Sequence, residues 1–326
     1  MTKALKDFLE SVEHATTTNG SVVATPPVTM IQSHAEWLAQ RRRGLGASDI
    51  AKICNLAPKT WGGPLSVYLD KRGMLPHSDN PQMAWGRKLE AVVADAYSET
   101  TGRRVWEHPP RIIWSEELPW AFCTPDRLAV GGILVECKTS GDYDGWGLEG
   151  TDEIPQMYFV QAQWQLFCAK HLGVERVDVP VLIRGSDFRV YTVFPDPNVI
   201  ASLIVVSTAF WQGVQEGIPP QVDQETPVHL LNILHKPNPT KTRTLDEIAQ
   251  MDADDYEQLG VKIRELEQLR DKARARLILA LEDHGSGSLP DGRVIRRSTV
   301  EIKESVREAY TQTRLTVGKR KEVPLG

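Results

Sequence analysis

The chain has 326 residues, more than one domain usually needs, so a catalytic-sized domain of about 200 residues with a smaller appendage is expected. Hydrophobic residues make up 41% and charged residues 25%, with no uninterrupted apolar run of bilayer length, which speaks against a membrane role. The 38 Lys and Arg against 43 Asp and Glu leave a net charge of −5, which excludes a polycation that coats nucleic acid and confines any DNA contact to a local surface.

Residues 1–30 end in a Thr, Val and Pro stretch with no sustained apolar period and read as a poorly ordered arm. Ser33 and Glu36 form a capping box for a helix that ends at Gly44, after Arg41, Arg42 and Arg43. Ser48 reads as the N-cap of a second helix over residues 49–56, so a basic helix end is followed closely by a fresh helix start. Over residues 83–101 the positions Trp85, Leu89, Val92, Val93, Ala96 and Tyr97 recur at helical spacing, and Gly102 closes the segment. Residues 104–107, 111–114, 120–123 and 133–138 are short, rich in β-formers and separated by Pro or Gly turns, as in a meandering sheet.

A helix is expected over residues 155–172, with Pro155 in its first turn and Gly173 at its end, then strands 177–184 and 188–194 around a hairpin turn at Gly185, Ser186 and Asp187. The order predicts an α/β fold with a central mixed sheet flanked by helices. Thr244 and Glu247 form another capping box after a Pro-containing connection. From there Tyr256, Leu259, Ile263, Leu266, Ala273, Leu277 and Ala280 follow a three-four spacing, and this long amphipathic helix should pack through Leu259, Ile263, Leu266 and Leu277 on its own domain or a partner. Arg270 at a seam position speaks against a long coiled coil. Residues 293–302 alternate like a strand, and the end carries Lys319, Arg320 and Lys321. The boundaries read as an arm over 1–30, a catalytic domain over 31–222, and a linker with a helix-plus-strand extension over 223–326.

The chemistry lies in Thr124-Pro125-Asp126 and in Glu136-Cys137-Lys138, which ends the apolar strand Ile133-Leu134-Val135. In a continuous strand Glu136 and Lys138 share a face and Cys137 points to the other. A carboxylate and an ammonium side by side in apolar surroundings cost several kcal/mol unless paired or bound to an ion. The plainer reading is a structural Glu–Lys pair. The functional one is phosphodiester hydrolysis, in which carboxylate oxygens hold a hard cation such as Mg²⁺ and Lys138 orients or deprotonates a water. Glu90 beside the buried stripe of its helix, and Gln161 on the face of Met157, Val160, Trp164 and Cys168, would add a carboxylate and an amide.

This ordered set resembles the lambda-exonuclease and YqaJ-type viral recombinase branch of the PD-(D/E)xK nucleases. The resemblance covers residues 36–220, through Arg41 to Asp49, Gly86 to Glu90, Thr124 to Asp126, Glu136 to Lys138, Ile154-Pro155 with Gln161, and Phe210-Trp211 before Gly217. It implies a PD-(D/E)xK restriction-endonuclease-like core with a C-terminal helical extension, and makes residues 31–222 the nuclease domain. Asp126, Glu136 and the carbonyl of Cys137 would hold one Mg²⁺ and Glu90 with Asp126 a second, Mn²⁺ being able to substitute. Lys138 would serve the water, Gln161 would position that lysine or the phosphate, and one of Arg41, Arg42 and Arg43 with Ser48 would meet a DNA 5′-phosphate.

The activity so implied is 5′-to-3′ digestion of linear double-stranded DNA, leaving 3′ overhangs for a single-strand annealing protein. A ring-shaped trimer is implied by analogy alone. The alternatives are an endonuclease or repair nuclease on the same core, and a DNA-end-binding module without activity. Some related nucleases hold an iron–sulfur cluster on clustered cysteines; here Cys54, Cys123, Cys137 and Cys168 are scattered, which predicts none. The cysteines and the absence of a signal-peptide pattern fit a reducing interior, the cytoplasm of a bacterial host if the protein is phage or prophage encoded.

Overall fold

Ser33 does cap the first helix: its hydroxyl accepts the Glu36 N–H at the start of α1 (His34–Arg41). The computed structural model describes residues 29–30, 33–75, 81–106, 111–299 and 315. Most of the arm over 1–30 and the basic tail at 319–321 thus lie outside the described residues, but Thr29 and Met30 form a strand, β1, and so are not part of an unstructured arm. The next helix, α2 (Ala47–Ile53), starts earlier than its sequence signals. Gly46 is its N-cap, and Asp49 at the third position accepts the Gly46 N–H at 2.9 Å. Ser48 therefore sits inside the first turn, exposed, and is not the cap. A carboxylate at the third position outcompetes the serine because it closes the turn with a charge-assisted bond.

Two sheets stand where one meander was expected. The smaller has the order β1, β4 (Arg111–Trp114), β5 (Ala121–Cys123), β2 (Leu45–Gly46), with β2 parallel to β5. Gly44 makes that pairing possible, since a Cβ there would lie 1.9 Å from the Trp120 carbonyl oxygen. The larger sheet runs β10 (Asp187–Val193), β9 (Arg176–Ile183), β7 (Ile133–Val135), β6 (Arg127–Ala129), β3 (Val105–Trp106), and β8 (Lys138–Ser140) also pairs with β9. It is mixed: β9 is parallel to β7 and β8 and antiparallel to β10. Pro125 and Asp126 lie between β5 and β6, where the chain leaves one sheet for the other.

Helices cover both faces of the larger sheet. On one face Tyr97 of α4 (Pro81–Thr101) packs with Ala129, Ile133 and Val135; on the other, α5 (Gln156–Ala169) buries Val160, Trp164 and Cys168 in the cluster that holds Leu128, Leu134, Val177 and Val181. Successive strand residues point to opposite faces, which is why β7 serves both cores. Trp164 ties α5 to the smaller sheet, its indole N–H shared between the Leu45 and Phe122 carbonyls at 3.3 and 3.2 Å. The face of α4 that meets the sheet is that of Val93, Ala94 and Tyr97, so Trp85 and Val92, placed on its apolar stripe by periodicity, are 60% and 53% exposed. Three helices escape a reading based on strands and caps, α3 (Pro64–Lys71), α6 (Pro197–Glu216) and the short helix Val228–Leu234 in the expected connection. At a mean hydropathy of 1.3, α6 is long and apolar enough to cross a bilayer by length and composition, a candidate that the search for an uninterrupted apolar run passes over. It buries Leu203, Ser207, Trp211 and Val214, and Trp211 stacks on Trp120 at 6.1 Å.

The chain divides into compact units at Lys236 and Pro237, not after residue 222, because α7 (Val228–Leu234) places Leu230 in the main core beside α3. The second unit consists, among the described residues, of α8 (Glu247–Leu281) and a hairpin of β11 (Ser286–Ser288) with β12 (Val294–Arg296). Asp246 is the cap of α8, accepting the Ala249 N–H at 3.0 Å, so Thr244 lies outside the helix. Leu281 is the residue that α8 buries, against Gly287 of the hairpin.

Candidate active site

Glu136 and Cys137 occupy a break in a strand rather than its middle. The register against β9 is kept across the break, with Val135 opposite Asp178 and Lys138 opposite Val181, but Pro180 falls between and has no N–H to give. Proline in an inner strand is rare for that reason. The expected continuous strand over 133–138 therefore opens at 136–137, next to the chemistry. The Glu136 N–H still donates to the Asp178 carbonyl at 3.0 Å, and the Cys137 N–H turns to the Asp126 carboxylate at 2.8 Å.

Side chains then converge on Glu136, which is only 6% exposed. Its Oε1 accepts from Lys138 Nζ at 2.6 Å and from Gln161 Nε2 at 2.5 Å, and its Oε2 accepts from Gln165 Nε2 at 2.6 Å. Gln161 and Gln165 are one helical turn apart on α5, so one helix face grips both oxygens. Lys138 Nζ also reaches Gln161 Oε1 at 3.3 Å and lies over the Tyr158 ring at 4.8 Å from its centre. Glu90 meets the cluster from α4, paired with Arg127, whose Nη1 also donates to the Asp126 carbonyl at 2.7 Å.

The charges explain one another. Burial, then the Glu136 and Glu90 carboxylates, push Asp126 well above the usual carboxylate range, and Lys138 and the Cys137 N–H offset this only in part. Burial opposes the charge on Lys138, yet Glu136 and Asp126 overcome it and hold its pKa above the ordinary lysine value. Lys138 is thus a charged donor in this state, suited to orienting a water or meeting a phosphate rather than taking a proton. Burial lifts Cys137 and Tyr158 upward as well.

The donor set fits a hard divalent cation. Asp126, Glu136 and Glu90 gather carboxylate oxygens where like charges raise the cost of ionisation, and a dication would relieve that cost. Lys138, Gln161 and Gln165 take three of roughly four acceptor positions on Glu136, so a position remains for a metal.

All five predicted catalytic residues, Glu90, Asp126, Glu136, Lys138 and Gln161, thus meet around this break. Gln165, Arg127 and Tyr158 belong to the same cluster and were missed by sequence reasoning. The signal for Gln165 is there, four residues beyond Gln161 on the same helical face, whereas Arg127 and Tyr158 carry none. The three arginines separate. Arg41 donates to Asp49 at 3.1 Å and stacks over Trp37 at 4.7 Å; Arg43 bonds Gln40 at 2.9 Å; Arg42 is exposed and passes Gly73. Ser48 follows β2, which pairs with β5, and β5 leads into Asp126.

Residues 36–171 match the family model of the YqaJ-like viral recombinase domain, the family that the motifs resemble. Over 197 residues the chain is 32% identical to the uncharacterized protein YqaJ of Bacillus subtilis (strain 168), covering 59% of this chain and 60% of that protein. The chain therefore spans about three fifths of that relative's length. Among solved structures it is similar to the alkaline exonuclease LHK-Exo of Laribacter hongkongensis, at 19% identity and a TM-score of 0.43 over 56% of this chain and 94% of that one; the same exonuclease in complex with dAMP gives the same values.

Proposed function

We propose that this protein is a metal-dependent deoxyribonuclease that digests linear double-stranded DNA from its 5′ ends and leaves 3′ overhangs for strand annealing in phage-type recombination, in the cytoplasm of a bacterial host. The observation that carries the reading is the convergence of Asp126, Glu136 and Lys138 on the break opposite Pro180. Asp126, Glu136 and the Cys137 carbonyl would hold one Mg²⁺ and Glu90 with Asp126 another, with Mn²⁺ as a substitute. Bound there, a dication supplies polarisation of the phosphoryl group and a more acidic water. The chain's own residues do the rest. Gln161 and Gln165 hold the Glu136 carboxylate in one orientation, and Lys138, kept protonated by its neighbours, orients the water and meets charge on the phosphate. Glu90, paired with Arg127 here, would hold an ion only in place of that pair, and the Arg127 guanidinium would then be open to a phosphate.

Digestion of linear and covalently closed duplex, each with Mg²⁺ or EDTA, tests the reading. Linear DNA should be degraded with Mg²⁺ alone and circles should survive. Cut circles would make the enzyme an endonuclease, and intact linear DNA would leave an end-binding module.

For the 5′-phosphate we assign Arg41, the arginine that Asp49 and Trp37 hold in one place, together with Ser48. Arg41→Ala should slow digestion of 5′-phosphorylated duplex by roughly ten- to a hundred-fold, the worth of one charge-assisted contact. A 5′-hydroxyl duplex, which already lacks the anion, should change little. Equal losses on both substrates would return Arg41 to a general basic patch.

A further inference from the structure

The second unit displays a long helix whose apolar seam is exposed among the described residues. Along α8, Tyr256, Leu259, Ile263 and Leu266 are 53%, 56%, 56% and 64% exposed, and Leu277 is 43% exposed. Leu259, Leu266 and Ala273 recur every seventh residue, as do Ala249, Tyr256, Ile263 and Leu277, with Arg270 in their series and Asp252 in the other. Such a seam is interrupted by one acid near its start and one base near its end.

We infer that α8 pairs with α8 of a second copy of this chain, antiparallel, about a two-fold axis level with Val261. In that register Leu259 faces Ile263 and Tyr256 faces Leu266, while the small residues Ala249 and Ala273 meet in a layer of their own. Asp252 of one copy then faces Arg270 of the other, on both sides of the axis. Arg270, which by itself speaks against a coiled coil, is neutralised by a residue five turns back along the partner copy's helix. A parallel pair would set Asp252 against Asp252 and Arg270 against Arg270, which is repulsive twice.

The charge around the seam has the same polarity. Residues 246–257 hold six carboxylates and no Lys or Arg, whereas residues 270–276 hold four cations against Asp271 alone. Antiparallel pairing lays the acidic end of each helix on the basic end of the other and opposes the two helix dipoles. A second copy answers both ends at once.

Sedimentation of the full chain at concentrations from about 1 to 50 μM, bracketing the affinity of an ordinary specific dimer, tests this. At the same concentration the wild type should have twice the mass of Leu259→Glu/Ile263→Glu, a comparison in which any assembly made by the first unit is common to both. Asp252→Arg and Arg270→Asp, both at exposed positions and so harmless to folding, should each weaken association by roughly ten-fold or more. The double variant Asp252→Arg/Arg270→Asp should recover to within about three-fold of wild type, since the pair is re-formed with its signs exchanged. Equal masses for the wild type and the apolar variant would overturn the pairing and leave the seam to another occupant. A double variant no better than either single one would overturn the antiparallel register.

Discussion

Lys138→Ala should lower cleavage by about 10³-fold or more, and Glu136→Gln should do the same, because each removes a group on which the reaction converges. Lys138 is the charged donor in the break, held by Glu136 at 2.6 Å and by Gln161 at 3.3 Å. Without it the Glu136 and Asp126 carboxylates lose their nearest cation, so metal binding, read by calorimetry, should persist in Lys138→Ala while turnover vanishes. Glu136→Gln removes a carboxylate and should weaken metal binding as well as turnover. The two variants are thereby separated by a readout that a purely structural pair would not split. Removing one member of a buried ion pair costs about 3–5 kcal/mol, so melting curves must accompany the rates, which are measured well below the melting point. Wild-type rates from either variant would sink the assignment of the site.

Asp49→Ala should be the most destabilising substitution in the first unit for the size of the group removed, at about 3–5 kcal/mol. Asp49 is 3% exposed and accepts from Lys71 Nζ at 2.6 Å, Arg41 at 3.1 Å and the Gly46 N–H at 2.9 Å. The side chain of Lys71 is itself fully buried, reaches the Arg41 carbonyl at 2.9 Å and lies over the Phe122 ring. Deleting the carboxylate would strand that ammonium in the core and cut the cap of α2. A drop in Tm of roughly 6–20 °C is expected, while Asp49→Asn/Lys71→Met, which removes both charges, should recover much of it.

The same cluster predicts a pH response. Burial opposes the charge on Asp49, but Lys71 and Arg41 overcome it and hold the carboxyl well below the usual range. Burial also pulls Lys71 below the ordinary lysine value despite Asp49, so the acid response belongs to Asp49. Its stabilisation is present above about pH 4, where an unfolded Asp is ionised, and is lost as pH falls further. Asp49→Asn should flatten the acid limb of stability against pH. An acid limb identical to wild type would show that the cluster does not carry it.

Much of this protein is written locally. The Ser33 cap, the α4 and α5 segments, the β9–β10 hairpin and the motif residues Asp126, Glu136 and Lys138 follow from spacing, caps and turn chemistry that a few neighbouring residues decide. The ordered motifs carry the family resemblance without any coordinate. What the chain alone did not decide were matters of distance in sequence. Asp49 closes the turn on the Gly46 N–H, and it is buried there with Lys71, a partner far along the chain. Two sheets replaced one because β2 pairs with β5, far along the chain with helices and strands between, a partner no local pattern announces (Leu45 opposite Ala121).

Pro180 opened the strand at Glu136 and Cys137 from the neighbouring strand, and Arg127 claimed Glu90 from another element. In α8 the sequence alone located the apolar seam and its two misplaced charges, since helical periodicity is local. That so little of it is buried among the described residues of its unit depends on packing, which only the tertiary structure decides.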